Sequence, residues 1–150
     1  MYTLTISILA NIALGVVLFG VLYRKREADT ERLTGPEQAL ERYRIRYPRA
    51  SGRVSLAADG RAALLELTDG TMGLVERCGR RWNVRVLQPT EILRIDRAGD
   101  RTICVHFADF GWPRTRVELS DPQSCQRWIE RLVAMRVAVA SARGRKAHHA

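Results

Sequence analysis

Lysine is almost missing from this 150-residue chain: of 25 basic residues only Lys25 and Lys146 are lysines. So complete an arginine bias reads as coding-sequence composition before it reads as function. Cysteine is scarce as well. Cys78, Cys104 and Cys125 have no C-x-x-C spacing and cannot pair completely, which excludes a disulfide framework and indicates no structural zinc. Reduced thiols in a cytosolic domain are the simple expectation. Two of the three histidines, His148 and His149, are adjacent in the tail and form no closed metal site. The chain also lacks a Walker loop, a G-x-G-x-x-G after a strand, a G-x-S-x-G and an H-E-x-x-H. No catalytic residue, no metal and no cofactor is therefore expected, and the chain is read as a non-enzyme.

Charge is absent from the first 23 residues. Leu4–Tyr23 reads LTISILANIALGVVLFGVLY, 20 residues, which at about 1.5 Å each covers a hydrocarbon core of roughly 30 Å. A cleaved signal peptide would want a basic n-region, a shorter apolar run and a small-residue cleavage site. Here the basic cluster Arg24, Lys25, Arg26 follows the apolar run. A permanent single-pass anchor over residues 1–23 is expected, with the N-terminus outside and the rest in the cytoplasm, which in a bacterium makes this an inner-membrane protein. Thr3, Ser7, Asn11 and Gly15 recur every four residues and share one helix face. Ser7, Asn11 and Gly15 suit a membrane-helix association face, because small and weakly polar residues permit close approach and hydrogen bonds in lipid. Hydroxyls that bond to their own helix carbonyls are the plainer alternative.

Beyond the anchor the composition is that of a folded protein, 46% hydrophobic and 27% charged, which excludes wholesale disorder. Residues 24–52 read as a juxtamembrane connector. Gly35-Pro36 breaks any continuation of the first helix, and Pro36-Glu37 suits the start of a short second one, EQALERYR. Arg42, Arg44, Arg46, Arg49 and Arg53 interleave with Tyr43, Ile45 and Tyr47. Such a stretch near a bilayer attracts anionic headgroups, at about 1 kcal/mol per basic residue, and equally fits an edge strand over Tyr43–Tyr47.

From residue 53 the rhythm is that of short strands and turns. Strands are expected at Val54–Ala57, Ala62–Leu67, Met72–Cys78, Trp82–Leu87, Glu91–Arg97, Arg101–Phe107 and Thr115–Leu119, with turns at Asp59-Gly60, Asp69-Gly70 and Gly79-Arg80. One parity is apolar (Trp82, Val84, Val86; Ile103, Val105, Phe107; Val117, Leu119), and the other carries Arg81, Arg85, His106, Arg116 and Glu118. That alternation predicts an antiparallel sheet with one wet face and His106 on it as a surface histidine. Asp96, Asp100 and Asp109 read as turn or strand-edge acids. A last helix starts at Ser120 or Asp121 with Pro122 in its first turn, and its apolar stripe is Cys125, Trp128, Ile129, Leu132 and Val133. The tail, residues 140–150, is basic and expected to be disordered.

This order, seven short antiparallel strands and then one amphipathic helix over residues 53–139, resembles the pleckstrin-homology-like (PH-like) superfold. The resemblance implies a mainly β (α+β) domain, a bent seven-stranded antiparallel sandwich or open barrel plugged by its C-terminal helix, with Trp128 and Trp82 as structural aromatics. It also implies edge strands and a groove beside the helix that can take peptides by strand addition. The basic-x-Arg signature of phosphoinositide binders is missing after Arg53 and Arg61. RWIERL in the last helix gives a weaker likeness to bacterial CptA-type membrane toxins, which usually begin with two membrane helices.

Net charge is +9. Residues 61–120 hold ten basic and eight acidic groups, against nine and six in 24–60 and six and two in 121–150. A domain balance of only +2 argues against nucleic acid, whereas basic flanks suit an anionic inner leaflet. The expected function is a non-catalytic adaptor that binds a protein partner at the membrane. Alternatives are lipid-headgroup binding by a hairpin from which Arg77, Arg80, Arg81 and Arg85 project together, or a small toxin-like regulator of envelope machinery. Cys78, beside Arg77, Arg80 and Arg81, has the electropositive setting that lowers a thiol pKa.

Overall fold

A computed structural model describes residues 31–147. The membrane run, its face of Ser7, Asn11 and Gly15, and the cluster Arg24, Lys25, Arg26 lie outside the described residues. Among the described residues no helix is long and apolar enough to cross a membrane.

The first helix, α1 (Pro36–Arg46), begins with proline at its first position, and Thr34 N donates to Gln38 Oε1 at 3.0 Å across the start. Proline loses nothing there because its missing N–H would be unpaired anyway. Seven strands follow: β1 (Gly52–Leu56), β2 (Ala62–Leu67), β3 (Met72–Cys78), β4 (Arg81–Val86), β5 (Ile92–Arg97), β6 (Thr102–Phe107) and β7 (Arg114–Glu118). They form two antiparallel sheets of sequential hairpins, β1-β2-β3-β4 and β5-β6-β7. One side of the pair is stitched by an isolated bridge between Ala57 and Leu119 and by Ala58 N donating to Glu118 O at 2.7 Å.

The second helix, α2 (Pro122–Ala147), is capped by Asp121, whose Oδ1 accepts from Ser124 N at 2.7 Å. Cys125, Trp128 and Leu132 enter the core between the sheets with Leu64, Leu74, Ile103, Val105, Phe107 and Val117. Ile129 and Met135 pack partly against it. Val133, expected in this stripe, is 43% exposed, because at 3.6 residues per turn it falls outside the face set by Cys125, Trp128, Leu132 and Met135. Arg97 Nη1 donates to Gln126 Oε1 at 3.0 Å, and Arg131 pairs with Glu66, so α2 is tied to both sheets. The helix continues through Ala147, in place of the disordered tail expected from residue 140.

The largest departure concerns residues 24–52, read as a connector. The compact unit runs from Arg32, and α1 covers the outer face of the four-stranded sheet. Leu33, Ala39, Leu40 and Tyr43 form a second core with Ala63, Leu65 and Val75, flanked by Trp82, Val84 and Val86. Tyr43–Tyr47 is therefore helix and its C-cap, and the edge-strand alternative falls. Leu33 N donates to Gly60 O at 2.7 Å and fixes the entry. The Tyr43 ring lies on Gly73, where a Cβ would come within 2.5 Å of it; only glycine leaves room. The four-stranded sheet thus has no wet face. In the three-stranded sheet the expectation holds, with Arg94, Arg114, Arg116 and Glu118 exposed outside.

Candidate functional site

Covering both faces of β4 separates the four arginines expected to project together. Arg77 shares the parity of Val75 and turns to the α1 side, where it is buried, its guanidinium 5.7 Å from the centroid of the Trp82 ring. Arg85 turns to the opposite side, its side chain only 12% exposed. Arg80 and Arg81 alone remain exposed, at the turn. With both faces of the sheet covered, β3 turns Arg77 to the α1 side while β4 turns Arg85, and Arg81 of the same parity at its exposed start, to the other.

Arg85 organises the loop after β6. Its guanidinium carbon lies 4.1 Å from the Phe107 ring centroid and 4.7 Å from that of Trp112. Nη2 donates to Asp109 Oδ2 at 2.6 Å and Nη1 to Trp112 O at 3.2 Å. Asp109 Oδ1 accepts from Gly111 N at 2.8 Å and Trp112 N at 3.3 Å. The Gly111 amide above all, with the Trp112 amide and Arg85, holds the Asp109 carboxyl below its ordinary range. The Trp112 Nε1 in turn donates to Glu76 Oε2 at 2.8 Å, and the Thr115 hydroxyl donates to the same oxygen. The loop Asp109–Pro113 is thereby pinned to β3 and β4, leaving Phe110 fully exposed at its tip.

Burial pushes the Glu76 carboxyl above its ordinary value, against the hydrogen bonds from Thr115 and Trp112 and the charge of Arg85. The folded state therefore binds this proton more tightly than the unfolded chain. Its contribution to stability is fully present below the unfolded pKa and is lost as pH rises through the folded one. Urea midpoints measured against pH should show this downward step above the ordinary glutamate range. Glu76→Gln keeps an acceptor for both donors and should remove the step without loss at neutral pH. A wild-type stability that climbs through this range relative to the variant would mean that the ionised form is the favoured one.

The cleft beside β4 has a volume of about 660 Å³, with Arg42, Ile45, Arg46 and Tyr47 on the α1 side and Glu91, Asp109 and Trp112 on the other. Its floor is the β4 edge itself, Trp82 to Val86. Leu87 N donates to Met72 O at 2.8 Å. By antiparallel alternation Arg85, Asn83 and Arg81 also bond to β3, so the amides of Trp82, Val84 and Val86 point out of the sheet. Ile45 on one rim is 83% exposed, and Phe110 stands at the tip of the opposite loop. Arg42 lies 4.6 Å over the Trp82 ring. A second pocket of about 440 Å³ adjoins at the end of α1, shares Arg46, Tyr47 and Val86, and is lined by Pro48, Ala50 and Leu67.

Two other candidates carry less. His106, expected to stand alone on the wet face, meets Asp96 across the strands at 3.1 Å and Cys104 at 3.5 Å. Both address the same ring nitrogen, Nε2, so the imidazole cannot accept a thiol proton on one nitrogen while an acid orients the other, as a nucleophilic triad requires. Cys78 moves opposite to expectation: burial, and then Glu76, push its thiol upward, toward the unreactive protonated form. Among the described residues no group of three His, Cys, Asp or Glu side chains converges to hold a metal.

Asp109, Trp112 and Glu76 were missed as site residues. The signal available was Asp109 at the head of FGWP, an Asx-turn position. Nothing in the spacing announces that Glu76, 36 positions before Trp112, is its partner. Compared with known proteins, the chain matches no family model, no curated protein and no solved structure.

Proposed function

We propose that this protein is a non-catalytic adaptor, tethered by residues 1–23 to a bacterial inner membrane with its folded part in the cytoplasm. It binds a protein partner by strand addition at the edge of β4. Sheets of four and three sequential strands, closed by a final helix, support the PH-like reading. The charge-free run Leu4–Tyr23 before Arg24, Lys25 and Arg26 supports the topology.

The observation that carries the binding site is the contrast between edges. Proteins blunt exposed strand edges with bulges, charges or covers. Between β1 and β7 the two sheets are joined by the Ala57–Leu119 bridge, and β5 carries a register shift between Ile92 and Arg94. β4 has an unbroken register from Arg81 to Val86, and its outward amides face a cleft whose walls carry Ile45 and Tyr47 on one side and Trp112 on the other, among charged side chains. Peptides add to such edges through main-chain hydrogen bonds, with flanking pockets giving specificity. The groove between β5 and the last helix is a weaker choice, since Arg97 and Gln126 are bonded across it.

Headgroup binding by the Arg77–Arg85 hairpin is not proposed, because its arginines diverge. The second reading places headgroup contact on the outer face of β5-β6-β7. There Arg94, His106 and Arg114 stand in one cross-strand row beside Arg116; Asp96 already pairs with Arg94 and meets His106, which leaves Arg114 and Arg116 as the exposed cations an anion would meet.

The test is photo-crosslinking in cells from a benzoylphenylalanine placed at Ile45 or Phe110 of the full chain. A discrete adduct is expected at both and at neither when Val84→Pro is added. That proline removes an edge amide but no ladder bond; because Val84 also packs against the second core, the variant is melted first, and Val84→Ala, which keeps the amide, controls for the lost side chain. Adducts that persist with Val84→Pro, or arise only from positions 94 and 116, would remove β4 as the docking edge.

A further inference from the structure

The β4 cleft is not electrostatically neutral between its walls, and this bears on what occupies it. On the α1 side stand Arg42, intermediate in exposure, and Arg46, exposed in the last turn. The basic residue on the other side, Arg85, is already joined to Asp109 at 2.6 Å. We infer that the segment bound at β4 is an extended stretch of a partner protein that points acidic residues toward α1 at alternate positions. This rests on the strand-addition reading.

The geometry dictates the alternation. A strand laid against Trp82–Val86 sends successive side chains to opposite faces of the lengthened sheet. Those on one face turn toward the α1 wall of the cleft, where Arg42 lies over the Trp82 ring and Arg46 stands one turn further on. Those on the other face meet the side that carries Glu91, where a basic or small polar residue is better placed. Carboxylates at the first set of positions gain paired guanidinium contacts, which arginine makes with planar specificity. The adjoining pocket beside Tyr47, Ala50 and Leu67 takes an apolar residue where the segment leaves the edge.

The same wall argues against a second copy as occupant. Two β4 strands paired antiparallel about a two-fold axis normal to the sheet would place both α1 helices on one face. Arg42 and Arg46 of each would then meet across the new seam, and like charges directly opposed in a sheet are destabilising. An acidic segment reverses that sign.

The test uses the full chain in nanodiscs of neutral lipid and two fluorescent decapeptides, one alternating Glu with Thr and one alternating Lys with Thr, read by anisotropy. The Glu peptide should bind more tightly than the Lys peptide, and the margin should shrink in high salt. Arg46→Glu, and then Arg42→Glu with Arg46→Glu, should weaken the Glu peptide by roughly tenfold or more in the double variant, since two attractions become repulsions, and should strengthen the Lys peptide. Each variant is first melted, because Arg42 also stacks on Trp82; if the double variant unfolds, Arg46→Glu alone decides. Equal binding of both peptides, lost for both in Val84→Pro, overturns the acidic preference and leaves strand addition standing. A Glu preference indifferent to Val84→Pro and to N-methylation of alternate peptide amides overturns strand addition itself. Concentration-dependent doubling in mass without peptide, abolished by Val84→Pro, assigns the edge to a second copy.

Discussion

Tyr43→Ala should lower the stability of the folded unit by about 3–5 kcal/mol, the range for removing a large aromatic from a core. That is a large part of what a domain of this size possesses. Tyr43 is fully buried between α1 and the sheet, packed on Gly73 and stacked at 4.9 Å on Tyr47. Its hydroxyl is buried with no hydrogen-bond partner among the described residues, and burial pushes its pKa up to about 12. An unmet buried hydroxyl costs about 1–3 kcal/mol, so Tyr43→Phe should leave the melting temperature unchanged or raise it. The pair of variants isolates packing from polarity. A fragment beginning at residue 53 should fail for the same reason, because it strips the cover from Ala63, Leu65 and Val75. A fragment starting there with full-length stability, or a Tyr43→Ala that melts like the parent, would return α1 to the status of a linker.

The strands themselves were legible, since Asp59-Gly60, Asp69-Gly70 and Gly79-Arg80 mark turns whose glycines adopt positive φ. Ala62–Leu67 and Met72–Cys78 lie where the pattern put them. The sequence of β2, AALLEL, has no alternation at all, which is the mark of a strand buried on both sides. A second layer was therefore called for, and the spacing of Ala39, Leu40, Tyr43 and Tyr47 at three and four residues offers one apolar helix face. The arginines interleaved with them mask that face, because the same stretch equally has the composition of a headgroup-binding segment.

The site was less legible than the fold, because its parts come together only through the second layer. Arg85 follows the polar parity of an alternating strand, and parity alone sends it to solvent. The loop carrying Asp109 and Trp112 closes over it from 24 positions away, and that contact has no local signature. Arg42 and Arg46 are basic by inspection, but only docking of α1 on the four-stranded sheet makes them one wall of the cleft beside β4.

Trp128→Ala is the second large effect, again about 3–5 kcal/mol, from the opposite side of the same sheet. Trp128 is 3% exposed and joins Cys125 and Leu132 in a stripe that faces both sheets. The core it joins takes Leu64 and Leu74 from the four-stranded sheet, and Ile103, Val105 and Phe107 from the other. No single strand can close over the void left by the indole, so relaxation is limited and the cavity penalty stays high. Leu132→Ala belongs to the same class, at about 2–5 kcal/mol. Val133→Ala, one position on and 43% exposed, should stay within about 0.5 kcal/mol of the parent. Because β2 and β3 contribute to both cores, the Tyr43 and Trp128 variants should each shift a single cooperative transition, seen at the same temperature by tryptophan fluorescence and far-UV circular dichroism. Two separated transitions, or a Trp128→Ala as mild as Val133→Ala, would mean that α2 only rests on the sandwich and does not close it.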